Sequence, residues 1–227
     1  MTTVVKQGPE TVEELLELVE QLGGIPPARV LLRPTPGEAT EEDLLDYMNR
    51  TGRCCELVDN VLVEKAMGLG ESGIASWITM LLGAYILPRS LGYTFGEAGI
   101  TRLRPGTVRA PDISFIRKNR LPDGKIDMTP IGEVVPDLAV EVISAGNTKA
   151  EIERKIGEYF HAGVEAVWIV DPFRRVVVVH SSADDFITLK ETDTLEGSPV
   201  FPGLDLPVAQ IFDCAPVVKK RPRKRGS

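Results

Sequence analysis

The 227 residues carry 43% hydrophobic and 26% charged side chains, a composition that suits a soluble globular domain with a full core. The longest apolar run, 74–87, has 14 residues and is too short for a bilayer span, and the N-terminus shows no basic segment leading into an apolar one, so neither anchor nor secretory leader is expected. The net charge of −7 is uneven: six cations (Lys219, Lys220, Arg221, Arg223, Lys224, Arg225) fall in the last nine residues, and setting them aside leaves a body of −13. An acidic body is poorly suited to non-specific nucleic-acid binding and the tail well suited to it, although a solubilising end reads the same way.

Cysteine usage gives no disulfide framework, since Cys54 and Cys55 are neighbours and Cys214 stands alone. A reducing, cytoplasmic setting is expected. With only His161 and His180, a Cys/His zinc site is disfavoured. Any metal would be held by oxygen, which means magnesium, manganese or calcium.

In chain order, residues 1–39 read as a helical extension. Thr11-x-x-Glu14 is a capping box, and Val12, Leu15, Leu16 and Val19 share one helical face. Gly23-Gly24 and Pro26-Pro27 stop that helix, and a second starts at Thr40 with Leu44, Leu45 and Met48 inward. Glu56-Leu57-Val58, a turn at Asp59-Asn60 and Val61-Leu62-Val63-Glu64 predict a hairpin. An apolar helix to about Leu87 should stop at Pro88. Residues 93–97 and 99–104 alternate as strands, and the Pro105-Gly106 turn leads to a third carrying Pro111-Asp112-Ile113. The polar loop 117–135 is long enough to be functional or mobile. A strand over 138–143, a helix from about Asn147 to Ala162 and strands 167–170 and 175–180 follow. Beyond 189 the chain reads as irregular and proline-rich until the tail over 214–227.

Gly68-x-Gly70-x-x-Gly73 matches the dinucleotide-binding fingerprint, with Glu97 downstream. The preceding strand nevertheless pairs as a hairpin, and no second helix appears between about 91 and 144. A nicotinamide or flavin site is therefore the third-ranked reading.

A stronger candidate joins Asp112, Glu141 and Lys155. Phosphodiester hydrolysis needs an activated water, neutralised phosphate charge and help for the leaving oxygen. Glu141 lies inside the apolar run Leu138-Ala139-Val140-Glu141-Val142-Ile143, where an unpaired carboxylate is costly, and a cation shared with Asp112 would keep both charged. Glu151, Lys155 and Tyr159 recur at helical spacing and share one face. Plain structural readings stand beside these. Asp112 fits a turn residue, Glu141 a buried ion pair with Lys155, and Glu151 with Lys155 a solvated helix face.

Pro111-Asp112, Pro136-Asp137-Leu138-Ala139-Val140-Glu141-Val142-Ile143-Ser144, the run from Asn147-Thr148 through Lys155 to Tyr159, Ala162-Gly163-Val164 and Trp168-Ile169-Val170-Asp171-Pro172 together resemble the Uma-type endonuclease family. That family belongs to the PD-(D/E)xK restriction-endonuclease-like superfamily. Cys55-Glu56-Leu57-Val58-Asp59-Asn60 resembles its opening hairpin and Leu103-Arg104-Pro105-Gly106 its approach to the Pro-Asp strand, so that the likeness covers about residues 40–190.

The resemblance implies a mixed α/β (α+β) restriction-endonuclease-like fold, a central mixed sheet flanked by helices over 40–213. It implies Mg²⁺ or Mn²⁺ held by Asp112, Glu141 and the Val142 carbonyl, with Lys155 as catalytic lysine and Glu71 or Glu97 in contact through water. The implied activity is endonucleolytic cleavage of nucleic acid, DNA first, by a cytoplasmic protein without membrane association and, by superfamily habit, homodimeric. A catalytically inactive module of the same fold that binds nucleic acid or a partner protein is the rival. Two departures stand out: the superfamily's usual lysine position, two after the glutamate, is Ile143, and Ser72 stands where relatives often place histidine.

Overall fold

Asp112 directly precedes one strand and Glu141 lies within the neighbouring strand of the same sheet in the computed structural model, which describes residues 8–66 and 68–215. The capping boxes form as expected, Thr11 opening α1 (Val12–Gln21) and Thr40 opening α2 (Glu41–Thr51). β1 (Cys55–Val58) and β2 (Val61–Glu64) make the hairpin, with Asp59 and Asn60 at positive φ as a two-residue turn with matching twist requires. Next come α3 (Leu69–Arg89), β3 (Gly92–Gly96), β4 (Thr101–Arg104), β5 (Thr107–Arg109) and β6 (Ile113–Arg117). β7 (Leu138–Val142), α4 (Lys149–Ala162), β8 (Ala166–Asp171), β9 (Val176–His180) and β10 (Phe186–Lys190) follow. β11 (Thr194–Glu196), β12 (Asp205–Pro207) and the short α5 (Val208–Ile211) end the described chain.

The main sheet has the order β10-β9-β8-β7-β6-β3, antiparallel except for the parallel β7–β8 pair that α4 connects. A second sheet, β2-β1-β5-β4, brings the hairpin alongside β5. β7 is buried on both faces, which explains its nearly unbroken apolar run. Leu138, Val140 and Val142 face a core shared with α3, Trp168 and Phe201. Ala139 faces Ile152, Ile156 and Tyr159 of α4. Period-two alternation therefore turns Glu141 toward α4.

Three expectations need correction. α3 does not stop before Pro88 but runs to Arg89, with Ser90 as a left-handed cap. In the last turn the missing proline N–H removes a single intrahelical bond, which the helix end tolerates. The segment past 189 is not irregular: β11 and β12 pair, and Leu195, Phe201, Leu206, Val208, Ile211 and Phe212 are buried in the main core. Phe201 packs on Phe115 at 4.6 Å and edge-on to Trp168 at 6.3 Å. Short pieces between prolines gave no usable periodicity, although their apolar side chains close one face of the sheet. The loop 117–135 is pinned rather than loose: Leu121 and Ile131 are buried, Thr101 bridges to Gly132, and the loop leaves β6 at the end opposite Asp112.

The N-terminal extension packs on the hairpin through Val19, Leu22, Ile25 and Val30 against Val58, Val61 and Val63. It also reaches α4. Arg29 forms a two-pronged ion pair with Glu151 at 2.7 and 3.0 Å, and Thr148 donates a hydrogen bond to the Gly23 carbonyl. The expected basic cluster, Lys219 to Arg225, lies outside the described residues.

Candidate active site

β6 and β7 run antiparallel with Ile113 paired to Val140. Continuing that register by one residue sets Asp112 across from Glu141 and gives the two carboxylates a common face. β6 begins only at Ile113, so the ladder has ended at this position, and Asp112 Oδ2 accepts the Val142 N–H at 2.6 Å. The side chain thus replaces a backbone acceptor, which fixes its rotamer.

α4 delivers Lys155 and Tyr159 to Glu141. Lys155 Nζ lies 3.1 Å from Glu141 Oε1, and the Tyr159 hydroxyl donates to the same oxygen at 2.6 Å. Lys155 Nζ also lies 3.0 Å from Glu56 Oε1 on β1, so one ammonium joins the two sheets. The cluster is nearly sealed, with Glu56 0%, Lys155 1%, Glu141 3% and Asp112 4% exposed.

Sequence reasoning brought Asp112, Glu141 and Lys155 forward as a group, and these three lie together. It missed Lys65, Arg109 and the role of Glu56. Glu56 carried a signal, being a charge inside the otherwise apolar strand Cys55-Glu56-Leu57-Val58, and it pairs with Arg109 Nη1 at 2.8 Å. Lys65 carried none: Glu64-Lys65 after a strand reads as surface charge, yet its Nζ lies 2.6 Å from Asp112 Oδ1 in a side chain only 4% exposed. Glu71 leans over Gly68 at the start of its own helix, and the Glu97 carbonyl accepts from the Cys54 thiol.

Burial raises the pKa of Glu141, and the nearby Asp112 and Glu56 charges add to the rise against the pull of Lys155 and Lys65. Burial would also raise Glu56, but Lys155, Arg109 and Lys65 outweigh it and hold that carboxyl well below the usual range. Lys155 stays firmly protonated because Glu141 and Glu56 overcome its desolvation. The Tyr159 hydroxyl is pushed well above 10 by burial and by Glu141. Three acids, Glu56, Asp112 and Glu141, share this dry space with three cations, Lys65, Arg109 and Lys155.

The donor set suits a small hard cation. Asp112 Oδ1 is a buried oxygen that faces the Lys65 ammonium at 2.6 Å without a well-aligned hydrogen bond, while that ammonium also donates to the Ala110 carbonyl. Both hydrogen bonds on Glu141 fall on Oε1, leaving Oε2 for a ligand. Among the described residues no three His, Cys, Asp or Glu side chains form a ready cage. Two carboxylates completed by a carbonyl and water match magnesium or manganese better than calcium or zinc.

The dinucleotide reading loses its support here. β2 is an antiparallel hairpin strand, and Gly70 and Gly73 lie inside α3 rather than in a turn between a parallel strand and its helix. No described helix is long and apolar enough to cross a membrane.

Comparison with known proteins agrees with the geometry. The model of the Uma2 family, described as "putative restriction endonuclease", matches residues 41–209. Among solved structures, a protein of Anabaena variabilis described as a putative nuclease superposes with a TM-score of 0.65 at 22% identity, covering 75% of this chain and 97% of that one. This likeness is one of fold. No curated protein sequence matches the chain.

Proposed function

This chain belongs to the Uma2 family of restriction-endonuclease-like fold, and on that premise we propose that it is a divalent-metal-dependent endonuclease cleaving phosphodiester bonds in nucleic acid, DNA first. The observation that carries this reading is the meeting of Asp112, Glu141 and Lys155 in one buried cluster. Asp112, Glu141 and the Val142 carbonyl would hold Mg²⁺ or Mn²⁺. When bound, such a metal neutralises the scissile phosphate and acidifies the attacking water.

The chain's own groups do the positioning. Tyr159 and Lys155 fix Glu141 by its Oε1, and the Val142 amide fixes Asp112 by its Oδ2. Lys155, held charged between Glu141 and Glu56, orients the nucleophilic water and offers its N–H groups to the pentavalent phosphate. The basic tail recruits the polyanion to the acidic body. A homodimer would supply one site for each strand of a duplex, and light scattering on the purified protein reads that state directly.

The test is cleavage of single- and double-stranded DNA and RNA with Mg²⁺, Mn²⁺ or EDTA. Metal-dependent cutting is expected, with Asp112→Asn, Glu141→Gln and Lys155→Met each losing on the order of a hundred-fold or more. Cutting that survives EDTA or all three substitutions places the chemistry elsewhere. Binding without cutting by the wild type makes the protein an inactive module of the same fold.

A further inference from the structure

We infer that Lys65 is a built-in competitor of the metal, an ammonium that holds Asp112 until a divalent cation displaces it. This rests on the reading of Asp112 and Glu141 as metal ligands. Both Asp112 oxygens are engaged, Oδ2 by the Val142 N–H at 2.6 Å and Oδ1 by Lys65 Nζ at 2.6 Å. The Val142 amide belongs to a buried strand and cannot retreat. Lys65 can, for it is the first residue past β2 and hangs on a flexible four-carbon stem. Its backbone N–H donates to the Cys54 carbonyl at 3.0 Å, so the movement belongs to the stem.

The two lysines of the site differ in this respect. Lys155 is gripped by Glu141 and Glu56 together and sits mid-helix, so it stays. Lys65 has one carboxylate partner and one carbonyl, Ala110, so it yields. Charge balance points the same way. Arg109 holds both Glu56 and Glu158, and Arg154 also holds Glu158, which leaves Asp112 and Glu141 against Lys65 and Lys155. A divalent ion entering beside both lysines would add two uncompensated positive charges to the buried cluster, and expelling Lys65 removes one of them. Lys65 is thus a positioning residue that holds Asp112 aimed while tuning the site toward weaker, exchangeable metal binding.

The experiment combines amine acetylation, read by peptide mass spectrometry on the full chain with and without Mn²⁺, with calorimetric Mn²⁺ titration. Acetylation of Lys65 is expected to rise several-fold at saturating Mn²⁺ while Lys155 stays protected. Lys65→Gln should bind Mn²⁺ about ten-fold more tightly, as removal of one nearby charge implies, and Lys65→Arg should bind like the wild type. The inference is overturned if Mn²⁺ binds in a manner lost in Asp112→Asn while Lys65 stays protected, or if Lys65→Gln binds no more tightly. Failure of both wild type and Lys65→Gln to bind Mn²⁺ instead removes the metal-site reading itself, and the competitor with it. The acetylation arm uses unaltered protein, so it decides the matter even if Lys65→Gln does not fold.

Discussion

Glu56 and Glu141 belong to different sheets yet share one ammonium, Lys155 Nζ standing 3.0 Å from the first and 3.1 Å from the second. The residue assigned to chemistry is therefore also a structural clasp. Lys155→Met should cost about 3–5 kcal/mol, because it leaves the buried Glu141 without its ion-pair partner and Glu56 with Arg109 alone. Urea unfolding monitored by tryptophan fluorescence reads this as a lower midpoint at unchanged slope. Adding Glu141→Gln should restore part of the loss, since the stranded charge is then gone. A loss in Lys155→Met near zero would mean that water reaches the cluster freely.

Acid should dissolve the link between the N-terminal extension and α4. Burial pushes Glu151 up, but hydrogen bonds from Arg29 and Asn147 outweigh it, so its carboxyl titrates below the ordinary value in the folded chain. A depressed carboxyl contributes stability that is fully present above its unfolded pKa of about 4.3 and is lost as pH falls through the folded value. Arg29→Met should thus lose about 3 kcal/mol at pH 7, and the gap from wild type should shrink as the pH drops below about 4. A gap constant over that range would show that Arg29 acts by packing alone.

Gly23 marks the same junction sterically. Its φ is +94°, and a Cβ there would fall 2.7 Å from the Glu151 backbone nitrogen. Gly23→Ala should destabilise by about 1–3 kcal/mol through backbone strain, and more if α4 must shift. Hydrogen exchange should show the loss concentrated at the start of α4, with Lys155 one turn further along feeling it as slower cleavage.

Phe201→Ala tests whether the C-terminal segment is core. Buried between Phe115 and Trp168, it should cost about 3–5 kcal/mol. A cost below about 1 kcal/mol would make that segment a surface strap.

What was legible in the sequence had a local cause. Thr11 and Thr40 announce helices because capping is read from four residues, and Asp59-Asn60 announces a hairpin because few residues accept positive φ. Glu141 stood out because a charge in an apolar strand demands a partner. Lys65 and Arg109 did not, since their partners lie 47 and 53 positions away in the chain and nothing local distinguishes them from solvated side chains. The burial of Leu195 to Phe212 escaped notice for a similar reason: what places those side chains inside is the open face of a sheet assembled elsewhere.

Diffraction from crystals soaked in Mn²⁺, recorded at the manganese edge, addresses the ligand assignment most directly. The expected result is one anomalous peak with an oxygen of Asp112 and one of Glu141 at about 2.0–2.3 Å. A saturating soak that leaves both carboxylates on their lysines, or a peak bound by other residues, would contradict it.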